Sequence, residues 1–243
     1  YTGKALKPQV KVTLGGVTLK EGTDYTLTYQ SNVDAGTASV VIAGKGAYTG
    51  KKTVKFTIKK ATQTITASNK ECVTKKTVKL GAKTSGGGKL TYKSSNTKVA
   101  TVSAKGVVKG RKAGTVTITV TAAETANYQK ATKKVKVKVG KANTLTAKAR
   151  KKTVRVSLAK VAKRKQVLAS NAKVSKAKGK VTYANASANA VAKTFKVNRK
   201  TGKLTVPRGT RKGTYQVVLE VRAAGNKSYL SATKKVRFKV AVR

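Results

Sequence analysis

The sequence predicts an all-β protein of three tandem small β-sandwich modules in an elongated arrangement. Two observations carry that fold class. First, apolar and polar residues alternate with period two through β-branched stretches. Val54, Phe56 and Ile58 alternate with Lys55, Thr57 and Lys59; Val116, Ile118 and Val120 with threonines; Val135, Val137 and Val139 with lysines; Val236, Phe238, Val240 and Val242 with Lys235, Arg237, Lys239 and Ala241. Such alternation marks strands with one buried and one wet face. Second, one segment recurs three times, as it does in proteins built from repeated modules. High net charge with few aromatics is otherwise the composition of a disordered chain; the alternation argues against disorder here.

In chain order, the first module, residues 1–60, closes with Gly36-Thr37 leading into a strand through Val40 and Ile42. Tyr48 then precedes the basic strand KKTVKFTI at 51–58. The second, residues 61–140, opens on ATQTITA (61–67) and the basic strand KKTVKL (75–80). It closes with Gly114-Thr115 into Val116 and Ile118, then Tyr128 ahead of KATKKVKVKV (130–139). The third, residues 141–243, opens on ANTLTA (142–147) and KKTVRV (151–156). It closes with Gly213-Thr214 into Val217 and Leu219, then Tyr229 ahead of SATKKVRFKV (231–240). Strand, turn and basic strand make a terminal hairpin in each module. Gly114 and Gly213 stand where a turn enters a strand, which suits a positive φ or a bulge. The joints, Lys59-Lys60-Ala61 and Gly140-Lys141-Ala142, are too short for a floppy tether. Helix signal is confined to residues 157–178, which read as one helical turn on Ala, Lys and Leu propensity or as a long basic connection.

The chain has 243 residues with 56 Lys and Arg against 6 Asp and Glu, a formal charge of +50, no His, Met or Trp, and one Cys. Without His there is no Ser-His-Asp triad, Cys-His pair or imidazole metal site. Six scattered acids do not build a calcium cage, and one Cys allows neither an intrachain disulfide nor a thiolate cluster. No cofactor or metal is expected. No apolar run approaches the length of a membrane-spanning helix. The chain begins at Tyr1 without Met, so it reads as a fragment lacking any targeting segment. A Ser-Lys dyad is the one nucleophile chemistry the composition permits, and Ser-Lys neighbours abound by chance. A Lys-Asn crosslink would need a buried acid; Glu71, Glu124 and Glu220 are the candidates, and alternation turns Glu220 away from Val217 and Leu219. The expectation is a non-enzyme. Cys72 reads as a small semi-buried apolar residue, with an intermolecular disulfide as the other use.

The stretch from Leu90 to Ala122, LTYKSSNTKVATVSAKGVVKGRKAGTVTITVTA, resembles the group 2 bacterial immunoglobulin-like repeat. The resemblance rests on Ser94, Ser95 and Asn96 before the strand Val99 to Val102, the turn at Gly106, and Gly110 to Thr115 before the closing strand. The first module, with YTGKALKP, LKEGTDYTLTYQSN, DAGTASVVI and GKGAYTG, is similar to a short glycine-containing β-repeat of Gram-positive surface proteins. The third resembles the second more distantly: VTYANAS (181–187) echoes LTYKSSN, while Phe195-Lys196-Val197 replaces V-A-T-V. These resemblances imply immunoglobulin-like modules of a secreted protein on a Gram-positive cell surface, serving as a spacer or adhesive stalk.

Charge carries the functional signal. Basic residues outnumber acids 10 to 3 in residues 1–60, 17 to 2 in 61–140 and 29 to 1 in 141–243. Self-repulsion of this size costs stability, and a polyanionic neighbour relieves it. Alternate strand residues lie about 6.5–7 Å apart on one face, so Lys134, Lys136 and Lys138 form one row and Lys235, Arg237 and Lys239 another. Lysine on a strand also discourages edge-to-edge pairing, a purely structural use. Lys163, Arg164 and Lys165 form a freer cluster in a connection. Nucleic-acid recognition adds aromatic stacking platforms to a basic surface, and none is evident, so nucleic acid is expected to bind only nonspecifically. The expected partner of a monomeric chain is an anionic cell-wall polymer of the teichoic-acid type. An anionic host or partner-cell surface, bound as by an adhesin, is the alternative.

Overall fold

The computed structural model describes residues 1–243 and is almost entirely strand. The N-terminal module holds β1 (Thr13–Leu14), β2 (Val17–Thr18), β3 (Tyr25–Gln30), β4 (Gly36–Gly44) and β5 (Lys51–Ile58). Strands β3, β4 and β5 form one antiparallel sheet in that order, and β1 and β2 a separate ribbon. Alternation puts Tyr25, Ala38, Val40 and Ile58 into a small core. No second sheet covers this face. The segment from Leu6 to Val12 crosses it instead, tied by Tyr29 Oη donating to the Pro8 carbonyl at 2.6 Å and by Asn32 Nδ2 donating to the Leu6 carbonyl at 2.9 Å. The cover is incomplete: Phe56 is half-buried and Val54 is 42% exposed. The buried face expected of β5 is therefore completed only at Ile58, because the crossing segment leaves a depression over Val54 and Phe56.

The middle module holds β6 (Ile65–Thr66), β7 (Lys70–Val73), β8 (Thr77–Lys79), β9 (Lys83–Thr84), β10 (Leu90–Ser94), β11 (Ala100–Val102), β12 (Val107–Gly110), β13 (Gly114–Ala122) and β14 (Ala131–Gly140). The C-terminal module holds β15 (Thr146–Ala149), β16 (Thr153–Val156), α1 (Leu158–Lys163), β17 (Gln166–Leu168), β18 (Ala172–Ser175), β19 (Val181–Asn185), α2 (Ala190–Lys193), β20 (Lys196–Val197), β21 (Leu204–Val206), β22 (Gly213–Ala223) and β23 (Ala232–Val242). The middle sheets run β10-β13-β14-β7, β11-β12-β8 and β6-β9. The C-terminal sheets run β19-β22-β23-β16, β20-β21-β17 and β15-β18. Strand for strand this is one topology. Of the two readings of residues 157–178, the helical turn is present as α1, with Ser157 Oγ accepting from the Lys160 amide, while the long connection is not: the rest folds into β17 and β18.

In each of these two modules the four-stranded sheet packs its apolar face against the smaller ones. Val116, Ile118, Val120, Val135, Val137 and Val139 meet Ile65, Leu80, Ala100 and Val108 in one core. Val217, Leu219, Val221, Phe238 and Val240 meet Leu145, Val161, Leu204 and Phe195 in the other. Phe195, which breaks the V-A-T-V resemblance, is buried edge-on to Tyr215, ring centroids 5.8 Å apart. Two glycines answer to close packing: Gly106 and Gly202 have φ of 70° and 69°, and a Cβ there would come within 2.7 Å of the Tyr92 ring and 2.8 Å of the Tyr183 ring. Gly114 and Gly213 have φ of 158° and 159°, the positive φ expected where a turn enters a strand.

The joints are hydrogen-bonded. The Ala61 amide donates to Asn127 O and the Gln129 amide to Ala61 O, each at 2.9 Å. Lys141 repeats the pair: its amide donates to Ser228 O at 2.7 Å, and its carbonyl accepts from the Leu230 amide at 2.9 Å. At each joint the tip of the later hairpin thus holds the chain entering its module and reaches the module before. Asn127 Oδ1 accepts from the Ala35 amide at 2.8 Å, its Nδ2 donates to Asp34 at 2.9 Å, and Tyr128 packs edge-on to Tyr1. At the second joint the Ser231 hydroxyl and amide donate to Glu71 at 2.8 and 3.2 Å. The chain exposes 15700 Å², where a compact monomer of 25.6 kDa exposes about 10,400 Å². No helix is long and apolar enough to cross a membrane.

Candidate polyanion-binding surface

The face of the middle four-stranded sheet turned from its core carries threonines on β13 and lysines on β14. Cross-strand pairs join Thr115 to Lys138, Thr117 to Lys136 and Thr119 to Lys134. Lys93 on β10 stands beside Thr119. Lys93, Lys134 and Lys136 are exposed and Lys138 is half-buried. All three expected lysines thus share one outward face, with Lys93 added from a strand far off in sequence. β7 pairs with β14 from Val137 to Gly140 and Asn69 Oδ1 accepts from the Lys136 amide, so the edge is covered at Lys136 and Lys138. Lys134 stands on the part of β14 that β7 does not reach, where the edge-protecting use still applies.

The C-terminal sheet repeats the pattern with more charge. Lys235, Arg237 and Lys239 are exposed on β23, beside Glu220, Val218 and Gln216 of β22. Arg222 on β22 lies two residues beyond Glu220, and Arg155 projects from β16. β16 runs along β23 only from Lys239 to Val242, so Lys239 lies inside the sheet while Lys235 and Arg237 stand on the part of β23 that β16 does not reach. Two adjoining shallow depressions, of about 420 and 450 Å³, share Thr182, Arg199 and Arg222, and Lys180 and Lys200 line the first. These four cations come from the β18–β19 turn, the β20–β21 turn and β22. Arg199 and Lys200 are neighbours in sequence, but Lys180 and Arg222 lie far off to either side, and the convergence of all four was beyond sequence reasoning. Glu220, half-buried, is the one carboxylate on this face, turned outward as alternation predicts.

Lys163, Arg164 and Lys165 sit apart from both rows, at the end of α1, all exposed. The helix lies beside the chain terminus: the Leu158 amide donates to Arg243 O and Arg208 Nε to Ala162 O. The cluster is thus on one end of the module and the rows are on its broad face.

The charge has almost no internal compensation. Lys60 with Glu124 is the one salt bridge. Asp24 accepts from the Lys20 amide, and Asp34 and Glu71 are engaged at the joints. Three of the six acids, Asp34, Glu71 and Glu124, therefore lie where modules meet. No three His, Cys, Asp or Glu side chains come together. Cys72 is buried, 1% exposed, and burial pushes its thiol pKa up. Its burial removes it from an intermolecular disulfide. What the arrangement offers chemically is rows of cations on rigid sheet faces, suited to binding dense negative charge.

A family model described as the intimin immunoglobulin-like domain matches residues 75–124, from β8 to just past β13. The match supports a bacterial immunoglobulin-like domain in this stretch, without the group 2 or glycine-repeat assignment. Domains of this kind are typically structural or adhesive. No curated protein matches the sequence. Among solved structures, human protocadherin-24 EC1-2 is 16% identical, with 75% of this chain and 99% of that chain covered and a TM-score of 0.34. Protocadherin gamma C5 EC1-3 is 12% identical, with 90% and 78% covered and a TM-score of 0.34. Drosophila N-cadherin EC1-4 is 10% identical, with 91% and 67% covered and a TM-score of 0.28. Likeness at these TM-scores carries no argument.

Proposed function

We propose that the chain is a non-catalytic stalk and anchoring region of a bacterial surface protein, held to an anionic envelope polymer by its basic sheet faces. Its modules span residues 1–60, 61–140 and 141–243; the first is a short glycine-containing β-repeat, the second a group 2 immunoglobulin-like domain and the third its divergent, strongly basic relative. The location is the outside of a Gram-positive cell, whose wall polymer of the teichoic-acid type is the partner. The observation that carries this reading is the pair of outward rows, Lys134-Lys136-Lys138 and Lys235-Arg237-Lys239, the second with Glu220 as the one carboxylate beside it. A flexible polyanion needs charge at regular spacing and no shaped pocket, which a pleated sheet supplies at about 6.5–7 Å. The identical topology of the middle and C-terminal modules supports extending the immunoglobulin-like reading past residue 124.

The test is binding of the purified chain to isolated Gram-positive cell walls before and after their teichoic acids are stripped. Binding is expected to the intact walls and to disappear with the polymer. Equal binding to stripped walls overturns the electrostatic account and leaves the adhesin.

A further inference from the structure

The three terminal hairpins share one register: Gly36 faces Ile58, Gly114 faces Val139 and Gly213 faces Val242. On the far side of the second strand the modules differ. β14 carries β7 along its outer edge and β23 carries β16, both parallel. β5 is the last strand of its sheet and pairs only with β4. Its outer edge is open, and beside it lies a depression of about 500 Å³ walled by Val10, Val12, Val40, Ile42, Val54 and Phe56.

One hydrogen bond marks where the missing strand would end. In the middle module the chain leaves β7 at Thr74, whose amide donates to Gly140 O at 2.9 Å. In the C-terminal module it leaves β16 at Leu158, whose amide donates to Arg243 O at 2.6 Å. In the N-terminal module the Tyr1 amine donates to Lys59 O at 2.5 Å. Lys59, Gly140 and Arg243 each follow the aligned Ile58, Val139 and Val242, so Tyr1 occupies the position from which a chain leaves a parallel strand.

We propose that the outer edge of β5, from Lys55 to Lys59, is the acceptor for one further strand, parallel to β5 and continuous with Tyr1. In a polypeptide that carries residues ahead of Tyr1, those residues take this lane. The residue two before Tyr1 lies beside Ile58 and the residue four before it beside Phe56, as Val156 lies beside Val242 and Val154 beside Val240. Both positions take β-branched apolar side chains, which complete the cover that Val54 and Phe56 lack. A second copy of β5 is a poor occupant, since antiparallel pairing would set Lys51, Lys52 and Lys55 near their own kind.

The register names the amides to watch. Lys239 and Arg243 donate theirs outward to Lys152 O and Val156 O, and Lys136 donates to Asn69 Oδ1. The matching amides on β5 are those of Lys55, Thr57 and Lys59. Their hydrogen exchange is measured in the 243-residue chain, in the chain extended ahead of Tyr1 by Thr-Val-Arg-Val-Ser (the sequence of residues 153–157), and in a control extended by Thr-Ser-Arg-Ser-Ser. The valine extension is expected to slow all three amides by about tenfold or more and the serine extension to leave them fast. Unchanged exchange on β13 and β22 verifies that all three proteins are folded. Equal rates in the three proteins overturn the proposal. So does protection that grows with the concentration of the unextended chain, which would give the lane to a second copy.

Discussion

Gln63 and Asn143 show how single side chains fix where each module begins. Gln63 is buried, its Nε2 donating to Ala123 O and Gln129 O at 2.8 Å while Oε1 accepts from the Thr84 hydroxyl at 2.6 Å. Asn143 holds the same place: its Nδ2 donates to Lys178 O and Leu230 O, and its Oδ1 accepts from the Leu145 and Lys178 amides. A buried acceptor stripped of its partner costs about 1–3 kcal/mol. Gln63→Ala is therefore expected to lower the stability of the middle module by about that amount, read from its urea transition, while β22 and β23 keep their exchange protection. The echo between ATQTITA and ANTLTA is plain in the sequence, but its cause is not. The carbonyls these amides serve lie 35 to 87 residues away, in hairpin tips and the β18–β19 turn, and no local pattern announces them.

Each row of cations depends on its strand keeping register, since a shift of one residue would turn every lysine inward. The salt dependence of polyanion binding reads out the row directly. With a random DNA duplex as probe, each neutralised phosphate contributes about 0.9 to the slope of log affinity against log salt. Replacing Lys235, Arg237 and Lys239 together by Ser is expected to reduce the slope by up to about 2.7. Thermal stability should be nearly unchanged, since surface substitutions of this kind stay within about 0.5 kcal/mol each. An unchanged slope would remove the row from the binding surface. The terminal hairpins were legible because β13, β14, β22 and β23 are long and strictly alternating. β7 and β16 are four residues each, with one face half-buried, and their parallel pairing is a tertiary event. β17 and β18 lie in Ala- and Lys-rich sequence where propensity favours a helix and contact with β21 and β15 decides otherwise. Arg199 and Arg222 escaped notice because it takes both the pairing of β19 with β22 and the Tyr183 amide donating to Arg199 O to bring their segments together.

The molecule as a whole is predicted to be a rod. A compact domain of this length has a radius of gyration of about 18 Å by the relation of size to chain length. Three modules of about 35 Å end to end, from strands of about seven residues at ~3.3 Å plus loops, give a rod of about 100 Å and a radius of gyration near 30 Å. The large exposed surface and the two separate cores support this shape, and repulsion between charged modules opposes folding back at low salt. Small-angle scattering in about 0.15 M salt checks it; a value near the compact figure would mean that the modules pack side by side.

The parallel pairing of β7 with β14 and of β16 with β23 has a mechanical consequence. A pull on the chain draws β7 toward its start and β14 toward its end, in opposite directions along their length. The hydrogen bonds between them are then sheared together and cannot be peeled one at a time, and rupture under load is governed by the unfolding rate. The middle and C-terminal modules each carry such a clamp across four paired positions. The N-terminal module lacks such a clamp as long as the edge of β5 stays open, and in that state it is the first to give way under tension.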